Sequence, residues 1–293
     1  MIARAVIASL VLFMATPSYA DMIVETASEF RAAAAGARAG ETIIVRAGNH
    51  DIGEVRIDRD LTIRGEDGAV LYASSPVAKG VLNPLWGVSL TIENLTIRSA
   101  RSPDLNGAAI RHDGLHLDIR GCVLEGNENG VLATGQENGV IRIADTQFLR
   151  NGHGDGYSHG IYVVRAERLE ITESAFIGTR IGHHVKSLAG ETRLIGNRFD
   201  DADGRTSYAV DASRGGSVTI RDNTIVQARD SENATIINYD TSRGGEARSL
   251  TISGNTITNY RRGARLLRNA TGTTPVMNNN KIQNEAGGPF REQ

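Results

Sequence analysis

The segment VTIRDNTI at residues 218–225 returns with small changes as LTISGNTI at residues 250–257. Each unit alternates apolar and polar residues around a small or polar turn residue, which is the pattern of short strands. Six further segments share it: LTIENLTI (90–97), LDIRGCVL (117–124), IRIADTQF (141–148), LEITESAF (169–176), TRLIGNRF (192–199) and PVMNNNKI (275–282). The corresponding apolar residues, from Ile92 to Met277, are 27, 24, 28, 23, 26, 32 and 25 residues apart.

A repeat of about 25 residues built from short strands and turns is typical of one coil of a parallel β-helix. We therefore predict an all-β fold: a single-stranded, right-handed parallel β-helix (solenoid) of about nine or ten coils. Its core must consist of aliphatic side chains, because aromatic residues make up only 5% of the chain.

One turn position of the repeat is asparagine in the last four units, at Asn197, Asn223, Asn255 and Asn280. Asparagine tolerates the left-handed backbone that such turns require. Because coils stack about 4.8 Å apart, we predict an internal ladder in which each side-chain amide bonds to the next. Cys122 falls in the same column and is predicted to be buried and inert.

The start of the chain differs from the repeats. Residues 1–20, MIARAVIASLVLFMATPSYA, have the short apolar run and small residues of a secretory signal peptide, so we expect a periplasmic or secreted protein. Residues 27–39 are predicted to form a helix with Ser28 as its N-cap, and this helix would cover the open end of the solenoid. The expected organisation is a signal peptide (1–20), an N-terminal cap with the first strands (21–60) and the β-helix (61–293).

The composition narrows the range of partners. Lys plus Arg number 32 and Asp plus Glu 34, a net charge of −2 that argues against nucleic acid as a partner. No stretch after the signal peptide is apolar enough to suggest membrane insertion, and we expect a monomer. Only three basic residues are lysines, at Lys79, Lys186 and Lys281, so each lysine is more informative than usual.

The cap and first strands carry a family resemblance. A predicted helix is followed by GETIIVRAGNH (40–50) and LTIRGEDGAVL (61–71). This arrangement resembles the pectate-lyase-like, right-handed parallel β-helix superfamily, in particular polysaccharide lyases of the chondroitinase-B and alginate-lyase types and related periplasmic carbohydrate-binding proteins. The resemblance implies an acidic, uronate-containing polysaccharide or oligosaccharide as partner. The Asp-Pro-His-Glu signature of alginate epimerases and the paired-aspartate motifs of polygalacturonases are not found in the sequence.

The second strand of each coil is predicted to present the functional face. Aligning these strands places one column inside: Ile110, Ala133, Val163, Val185, Val210, Tyr239 and Leu267. The residue that follows each of these then points outward: Arg111, Thr134, Val164, Lys186, Asp211, Asp240 and Arg268. By alternation, Tyr162, His184 and Asn238 are also expected to face outward.

A β-elimination reaction on a uronate requires a base, a cation that neutralises the carboxylate, and an acid for the leaving oxygen. A lysine crowded by other cations can serve as the base, and Lys186 is the candidate. The candidate proton donors are Tyr162, Tyr208 and His184, and the candidate carboxylate-binding residues are Arg165, Arg214 and Arg268. Chondroitinase-B-type enzymes, which the chain resembles, use a lysine and an arginine in this way. The alternative is that Lys186 only forms an ion pair with Asp211 of the next coil.

The loop NGHGDGYSHG at residues 151–160 is a second candidate site. Its His153, Asp155 and His159 are predicted to bind sugar, or a metal together with His183 or His184, although the spacing matches no strict zinc signature. The acidic turn with Asp200, Asp201 and Asp203 is a candidate Ca²⁺ site.

These candidates and the resemblance favour a polysaccharide lyase that cleaves an anionic, uronate-containing polysaccharide by β-elimination, and two other functions remain open from the sequence. One is a non-catalytic carbohydrate-binding or envelope protein that uses the same groove. The other is a glycoside hydrolase, for which Asp211 and Asp240 are the candidate carboxylates. A basic run, with Arg261, Arg262, Arg265 and Arg268, either attracts an acidic polysaccharide or forms a solvated edge.

Overall fold

The structure is a computed structural model that describes residues 21–291. The predicted signal peptide lies outside the described residues. The chain winds through three strand positions in each coil, and every strand pairs in parallel with its equivalents in neighbouring coils, which gives three long sheets. The predicted all-β parallel solenoid, with about nine coils, is confirmed.

We name the sheets A, B and C in the order in which each coil visits them. Sheet A contains Met22–Val24, Glu41–Val45, Leu61–Gly65, Ser89–Glu93, His116–Arg120, Val140–Ala144, Arg168–Thr172, Glu191–Ile195, Gly216–Arg221, Ala247–Ser253 and Val276–Asn278. Sheet B contains Gly48–Asp51, Ala69–Tyr72, Thr96–Arg98, Val123–Glu125, Gln147–Leu149, Ala175–Ile177, Arg198–Asp200, Thr224–Gln227, Thr256–Asn259 and Lys281–Asn284. Sheet C contains Val55–Ile57, Gly80–Pro84, Ala108–His112, Asn129–Ala133, Ile161–Val163, Val185–Ser187, Val210–Ala212, Thr235–Tyr239 and Arg265–Asn269.

The core consists of columns of like side chains that stack from coil to coil. The longest column belongs to sheet A and contains Ile63, Ile92, Ile119, Ile143, Ile171, Leu194, Ile220 and Ile252. Sheet B adds a phenylalanine stack in which the ring centroids of Phe148 and Phe176 are 4.2 Å apart and those of Phe176 and Phe199 5.3 Å apart. Stacked apolar burial of this kind is the main favourable term for a solenoid.

The predicted asparagine ladder is confirmed at the turn between sheets A and B. The side-chain amide nitrogen of Asn197 donates to Oδ1 of Asn223 at 3.1 Å, Asn223 donates to Asn255 at 3.0 Å, and Asn255 donates to Asn280 at 2.9 Å. Cys122 lies in the same column, buried, where burial raises the pKa of its thiol to about 11.

The helix α1 spans Ala27–Gly36, and its N-cap is Thr26 rather than the predicted Ser28. Thr26 has an extended backbone and accepts from the N–H of Glu29, whose carboxylate accepts in return from the N–H of Thr26. This reciprocal pair is a capping box, which requires three residues from the N-cap to the glutamate. Ser28 is adjacent to Glu29 and cannot form it. Phe30 and Ala34 are buried against the first coil, so α1 covers that end of the core.

The last described coil is more open. Val276, Met277 and Ile282 end the columns of their sheets and are 52%, 38% and 42% exposed. Phe290 packs partly against the core, and the N–H of Arg291 donates to the carbonyl of Ala264 at 2.8 Å. Within residues 21–291, no helix has the length and apolar character needed to cross a bilayer.

Candidate functional site

The outer surface of sheet C carries one continuous column of mostly polar side chains. Strand pairing places in this column Arg111, Leu132, Tyr162, Lys186, Asp211, Asn238 and Arg268. The prediction of Thr134, Val164 and Asp240 in this column is therefore wrong by two residues in three of the strands. The inner column shifts in the same way, so that Val131, Ile161 and Ile237 take the places predicted for Ala133, Val163 and Tyr239.

For the strand Ile161–Val163 the shift has a physical cause, because the aligned segments GIYVVR (160–165) and GHHVKS (182–187) both begin with glycine. Gly160 immediately precedes the strand Ile161–Val163, where a Cβ atom would lie 2.5 Å from the carbonyl oxygen of His184 and 3.0 Å from the ring of Phe176. Gly182 belongs instead to the preceding turn, where a Cβ atom would lie 1.9 Å from the carbonyl oxygen of Ser158. Each position requires glycine for its own steric reason, so aligning the two glycines misaligned the strands.

Lys186 lies at the centre of the outer column and contacts both neighbouring coils. Its Nζ atom is 3.5 Å from Oδ2 of Asp211 and 5.2 Å from the ring centroid of Tyr162. Both contacts stabilise an ammonium ion. The side chain of Lys186 is 12% exposed, so the ion pair lies low on the outer face of sheet C, where the sequence predicts the groove. The sequence alternative of a Lys186–Asp211 ion pair is thus observed.

Asp211 belongs to a hydrogen-bonded network that runs along the outer face toward the C-terminal coils. The amide nitrogen of Asn238 donates to Oδ1 of Asp211 at 2.7 Å and to Oδ2 of Asp240 at 3.2 Å. Arg268 donates to Oδ2 of Asp240 at 2.5 Å and to the amide oxygen of Asn238 at 2.8 Å. Burial opposes the charged form of Asp240, but hydrogen bonds from Ser242, Arg268 and Asn238 outweigh it and lower the pKa of Asp240.

A second column, beside the first, consists of side chains that accept hydrogen bonds from the backbone of the next coil. Oδ1 of Asn129 accepts from the N–H of His159 at 2.8 Å. Nδ1 of His159 accepts from the N–H of His183 at 3.0 Å, and Nδ1 of His183 accepts from the N–H of Tyr208 at 3.2 Å. The two imidazole rings stack with centroids 4.7 Å apart, and the ring of Tyr208 follows at 4.9 Å.

This histidine ladder fixes the protonation of both rings. An Nδ1 atom that accepts from a backbone N–H must carry a lone pair, so the proton of each neutral ring is on Nε2. Burial, with the charge of Lys186 adding to it, lowers the pKa of His159 to about 3. Burial and the neighbouring His159 lower the pKa of His183 well below its usual value. His159 and His183 are therefore hydrogen-bond donors at Nε2 and not proton acceptors. Nε2 of His183 lies 3.6 Å from Oδ2 of Asp211.

His184 does not face the groove, so its predicted position beside Lys186 is wrong. It is fully buried and lies near the rings of Phe176 and Phe199. Its Nδ1 is 2.8 Å from the hydroxyl of Thr179, and its Nε2 is 3.2 Å from Oδ1 of Asp201. His184 and Val185 both point inward, because strict alternation begins only at the first residue of the strand.

The loop at 151–160 divides into parts with different roles. His159 belongs to the histidine ladder, whereas His153 lies beside Glu128, with Nδ1 3.7 Å from Oε1. Asp155 accepts from the N–H of Tyr157 at 2.9 Å within the loop. These three side chains do not converge. Across residues 21–291, no group of three His, Cys, Asp or Glu side chains is placed to hold a metal ion.

The acidic turn predicted as a Ca²⁺ site is occupied by protein contacts instead. Asp201 is buried and accepts from the hydroxyl of Ser231 and, at 3.1 Å, from the N–H of Ala228. Asp200 pairs with Arg198. Asp201 thus ties consecutive turns together, and its carboxylate oxygens are not directed at a common point with those of its neighbours.

The predicted carboxylate-binding arginines all have acidic partners. Arg165 and Arg214 both lie near Oε1 of Glu137, at 3.5 and 3.6 Å, in the turns between sheets C and A. Arg268 pairs with Asp240. Arg243, which the sequence prediction did not select, has no ion-pair partner within 4.0 Å among residues 21–291, and its charge acts on the phenol of Tyr162. Arg243 lies in the segment DTSRGG (240–245), which repeats the pattern of DASRGG (211–216), and this repetition was the available signal.

Comparison with known proteins places the chain in a family. Residues 129–290, more than half of the chain, match the family described as a right handed beta helix region. The chain therefore belongs to the right-handed β-helix family. No curated protein sequence matches it.

Two solved structures share the fold, as the resemblance of residues 40–71 implied. One is an alginate lyase from Paenibacillus sp. str. FPU-7, 17% identical, with 92% of this chain and 97% of that chain aligned and a TM-score of 0.66. The other is the PL6 family alginate lyase AlyGC, 18% identical, with 92% of this chain and 41% of that chain aligned and a TM-score of 0.58. The present chain thus spans less than half of the second protein. At these identities the comparison establishes a polysaccharide-lyase-like fold.

Proposed function

We propose that this protein is a polysaccharide lyase that cleaves an anionic, uronate-containing polysaccharide by β-elimination in the groove along sheet C. The observation that carries the proposal is the juxtaposition of Lys186 and Tyr162, whose side chains meet on adjacent coils on the outer face of sheet C. Arg243 provides a cation without an acidic partner near the same tyrosine. The shared fold of two alginate lyases supports this substrate class.

The residues divide the reaction as follows. Lys186, as the neutral amine, removes the proton from C5 of the uronate. The electrons of that C–H bond form the C4–C5 double bond, and the C4–O4 bond breaks. Tyr162 donates its phenolic proton to the leaving oxygen, while Arg243 neutralises the carboxylate, where charge builds up in the transition state.

The protonation states bear on these roles. Burial, with the nearby Asp211 adding to it and Arg243 opposing it, raises the pKa of Tyr162, so the phenol keeps its proton at neutral pH. As the base, Lys186 must act as the neutral amine, and the acidic group in contact with it is Asp211. The histidine ladder cannot replace it, because both Nδ1 atoms are occupied by backbone N–H groups. Instead, its Nε2–H groups are donors for sugar oxygens.

The Lys186–Asp211 ion pair supports a second candidate function, a non-catalytic carbohydrate-binding protein, in which Lys186 stays charged. The hydrolase alternative is less well supported. A glycosidase acid must be protonated at working pH, whereas hydrogen bonds lower the pKa of Asp240. A single amide, that of Asn238, contacts both Asp211 and Asp240.

One assay separates these functions. The purified protein is incubated with a panel of uronate polymers while ultraviolet absorbance and reducing ends are followed together. A lyase raises both, because elimination creates a conjugated C4–C5 double bond. A hydrolase raises only the reducing ends, and a binding protein raises neither. Absence of ultraviolet absorbance across the panel would overturn the lyase proposal. We further propose that the protein acts as an exported monomer in the periplasm or outside the cell.

A further inference from the structure

A basic depression lies on the turns between sheets B and C, apart from the groove that holds Lys186. It has a volume of about 510 Å³, within the usual range of ligand-binding clefts. Its lining comprises Arg205, Arg229, Asp230, Ser231, Glu232, Arg261 and Arg262. These residues come from the turns of three consecutive coils, so the depression extends about 10 Å along the solenoid axis.

The depression has an excess of positive charge. Four guanidinium groups face two carboxylates, and none of the four forms an ion pair within 4.0 Å among residues 21–291. Many arginines elsewhere on the solenoid do form ion pairs, as in Arg64–Glu93 and Arg168–Glu191 at 2.7 Å. Because the whole chain has a net charge of −2, this excess is a local feature of the surface.

The floor of the depression is anchored by hydrogen bonds. Nε of Arg261 donates to the carbonyl of Ser231 at 2.8 Å, and the hydroxyl of Ser231 donates to the buried carboxylate of Asp201. Asp201 also accepts from the N–H of Ala228 at 3.1 Å. These bonds connect the turns of all three coils. The backbone is therefore already ordered before a ligand binds, which reduces the entropic cost of binding.

The structure divides the basic run predicted around residues 261–268 between separate environments. Arg261 and Arg262 line the depression. Arg268 pairs with Asp240 on sheet C, and Nε of Arg265 is buried without a hydrogen-bond partner among the described residues. The basic surface is therefore completed by Arg205 and Arg229, which lie far from this run in sequence.

We propose that this depression is a second binding site for an anionic polysaccharide, with its guanidinium groups contacting carboxylate or sulfate groups of the polymer. Planar guanidinium groups match both kinds of anion with paired hydrogen bonds. The proposal rests on the proposed function for the class of ligand, a polysaccharide, but it does not depend on catalysis. The site would hold the polymer outside the groove while another segment occupies sheet C.

The test is affinity electrophoresis with the double variant Arg229→Gln/Arg262→Gln and a matched control, Arg31→Gln/Arg38→Gln, which removes the same charge at α1. Both are made in a Lys186→Ala background so that the polymers stay intact. The gels contain polygalacturonate, dextran sulfate or neutral dextran. We expect the double variant to bind the anionic polymer roughly three- to tenfold more weakly, with a shallower salt dependence, and the control to match the parent. Comparison of the two anionic polymers identifies whether carboxylate or sulfate is preferred.

Equal retardation of the parent and the double variant would overturn the proposal, as would an equal loss in the control, since that would indicate non-specific charge. Failure of the proposed function gives a different result. If the protein with Lys186 produces no unsaturated sugar but the double variant still loses retardation, the second site stands and the lyase proposal fails. If the protein is a lyase, the double variant should raise KM for long polymers and leave kcat unchanged.

Discussion

Nζ of Lys186 and Oδ2 of Asp211 lie 3.5 Å apart on adjacent coils, and this contact begins a chain of charged and polar contacts along the outer face of sheet C. Asn238 links Asp211 to Asp240, which in turn pairs with Arg268. The chain thus has one positive group at each end and two carboxylates between them.

Replacing Lys186 tests its proposed role as the base. Lys186→Ala should lower the rate of unsaturated product formation by roughly 10²- to 10⁴-fold, the usual contribution of general-base catalysis. Lys186→Arg should be as inactive, because a guanidinium group does not give up its proton. The exposed Lys79→Ala is the matched control. Ordinary turnover by Lys186→Ala would leave Lys186 as a structural partner of Asp211.

Tyr162→Phe tests the proton donor separately from the fold. The substitution keeps a ring beneath Lys186 and removes only the hydroxyl, which makes no hydrogen bond within residues 21–291. We expect kcat to fall by about 10²-fold or more, with little change in KM or melting temperature. Tyr157→Phe, at an exposed loop tyrosine, should be neutral. A Tyr162→Phe protein with unchanged kcat would exclude Tyr162 as the donor.

The asparagine ladder should contribute measurably to stability. Asn223→Ala removes an amide that donates to Asn255 and to the carbonyl of Leu194 and that accepts from Asn197. Because it leaves buried polar groups unpaired, it should lower the free energy of unfolding by about 1–3 kcal/mol. Urea denaturation is the measurement, and the exposed Asn278→Ala is the control. Equal stability of the two variants would contradict the assigned role.

Stability should fall as the pH is lowered below about 6.5. Burial lowers the pKa of His112 to about 4 and that of His159 to about 3, and it holds that of His183 well below its usual value. Between about pH 6.5 and 4 the unfolded chain binds protons at these histidines that the folded protein does not. Each of these histidines therefore lowers the free energy of unfolding by about 1.4 kcal/mol for each pH unit in this range.

Urea titrations at several pH values measure this slope. His159→Asn is the informative variant, because asparagine already accepts the equivalent backbone N–H from position 129 in the preceding coil. The variant should fold. Its free energy of unfolding should decrease less steeply with falling pH, by the contribution of one histidine. A stability independent of pH between 7 and 5 would contradict the neutral ladder.

Two neighbouring substitutions test the helix cap. Thr26→Ala removes the acceptor of the capping box and should lower the free energy of unfolding by roughly 0.5–2 kcal/mol. Ser28→Ala, inside the first turn and exposed, should have little effect. If denaturation showed a larger loss of stability for Ser28→Ala than for Thr26→Ala, Ser28 would be the N-cap.

The sequence was sufficient to predict features that recur at a fixed position in each repeat. The ladder through Asn197, Asn223 and Asn255 was predictable, because the turn position lies at a constant offset from the strand before it. The register of sheet C was not, because the turns before it differ in length and place Gly160 and Gly182 at different points of the coil. Strand alternation also failed at His184, since two consecutive side chains point inward there. The ladder role of His183 depends on contacts across coils, which no spacing rule gives.

The two ends of the described solenoid differ, because helix α1 covers one end and the last described coil is exposed at the other. A coil is held only by the coils next to it, and the one that contains Lys281–Asn284 has a described neighbour on one side alone, with Ile282 open to water. Because Val276, Met277 and Ile282 in this coil leave much of their apolar surface exposed, the loss of order on heating should start there and advance towards α1. Unfolding then reaches the turn that contains Arg261 before it reaches Lys186. The basic depression therefore unfolds while the groove beside Tyr162 is still folded.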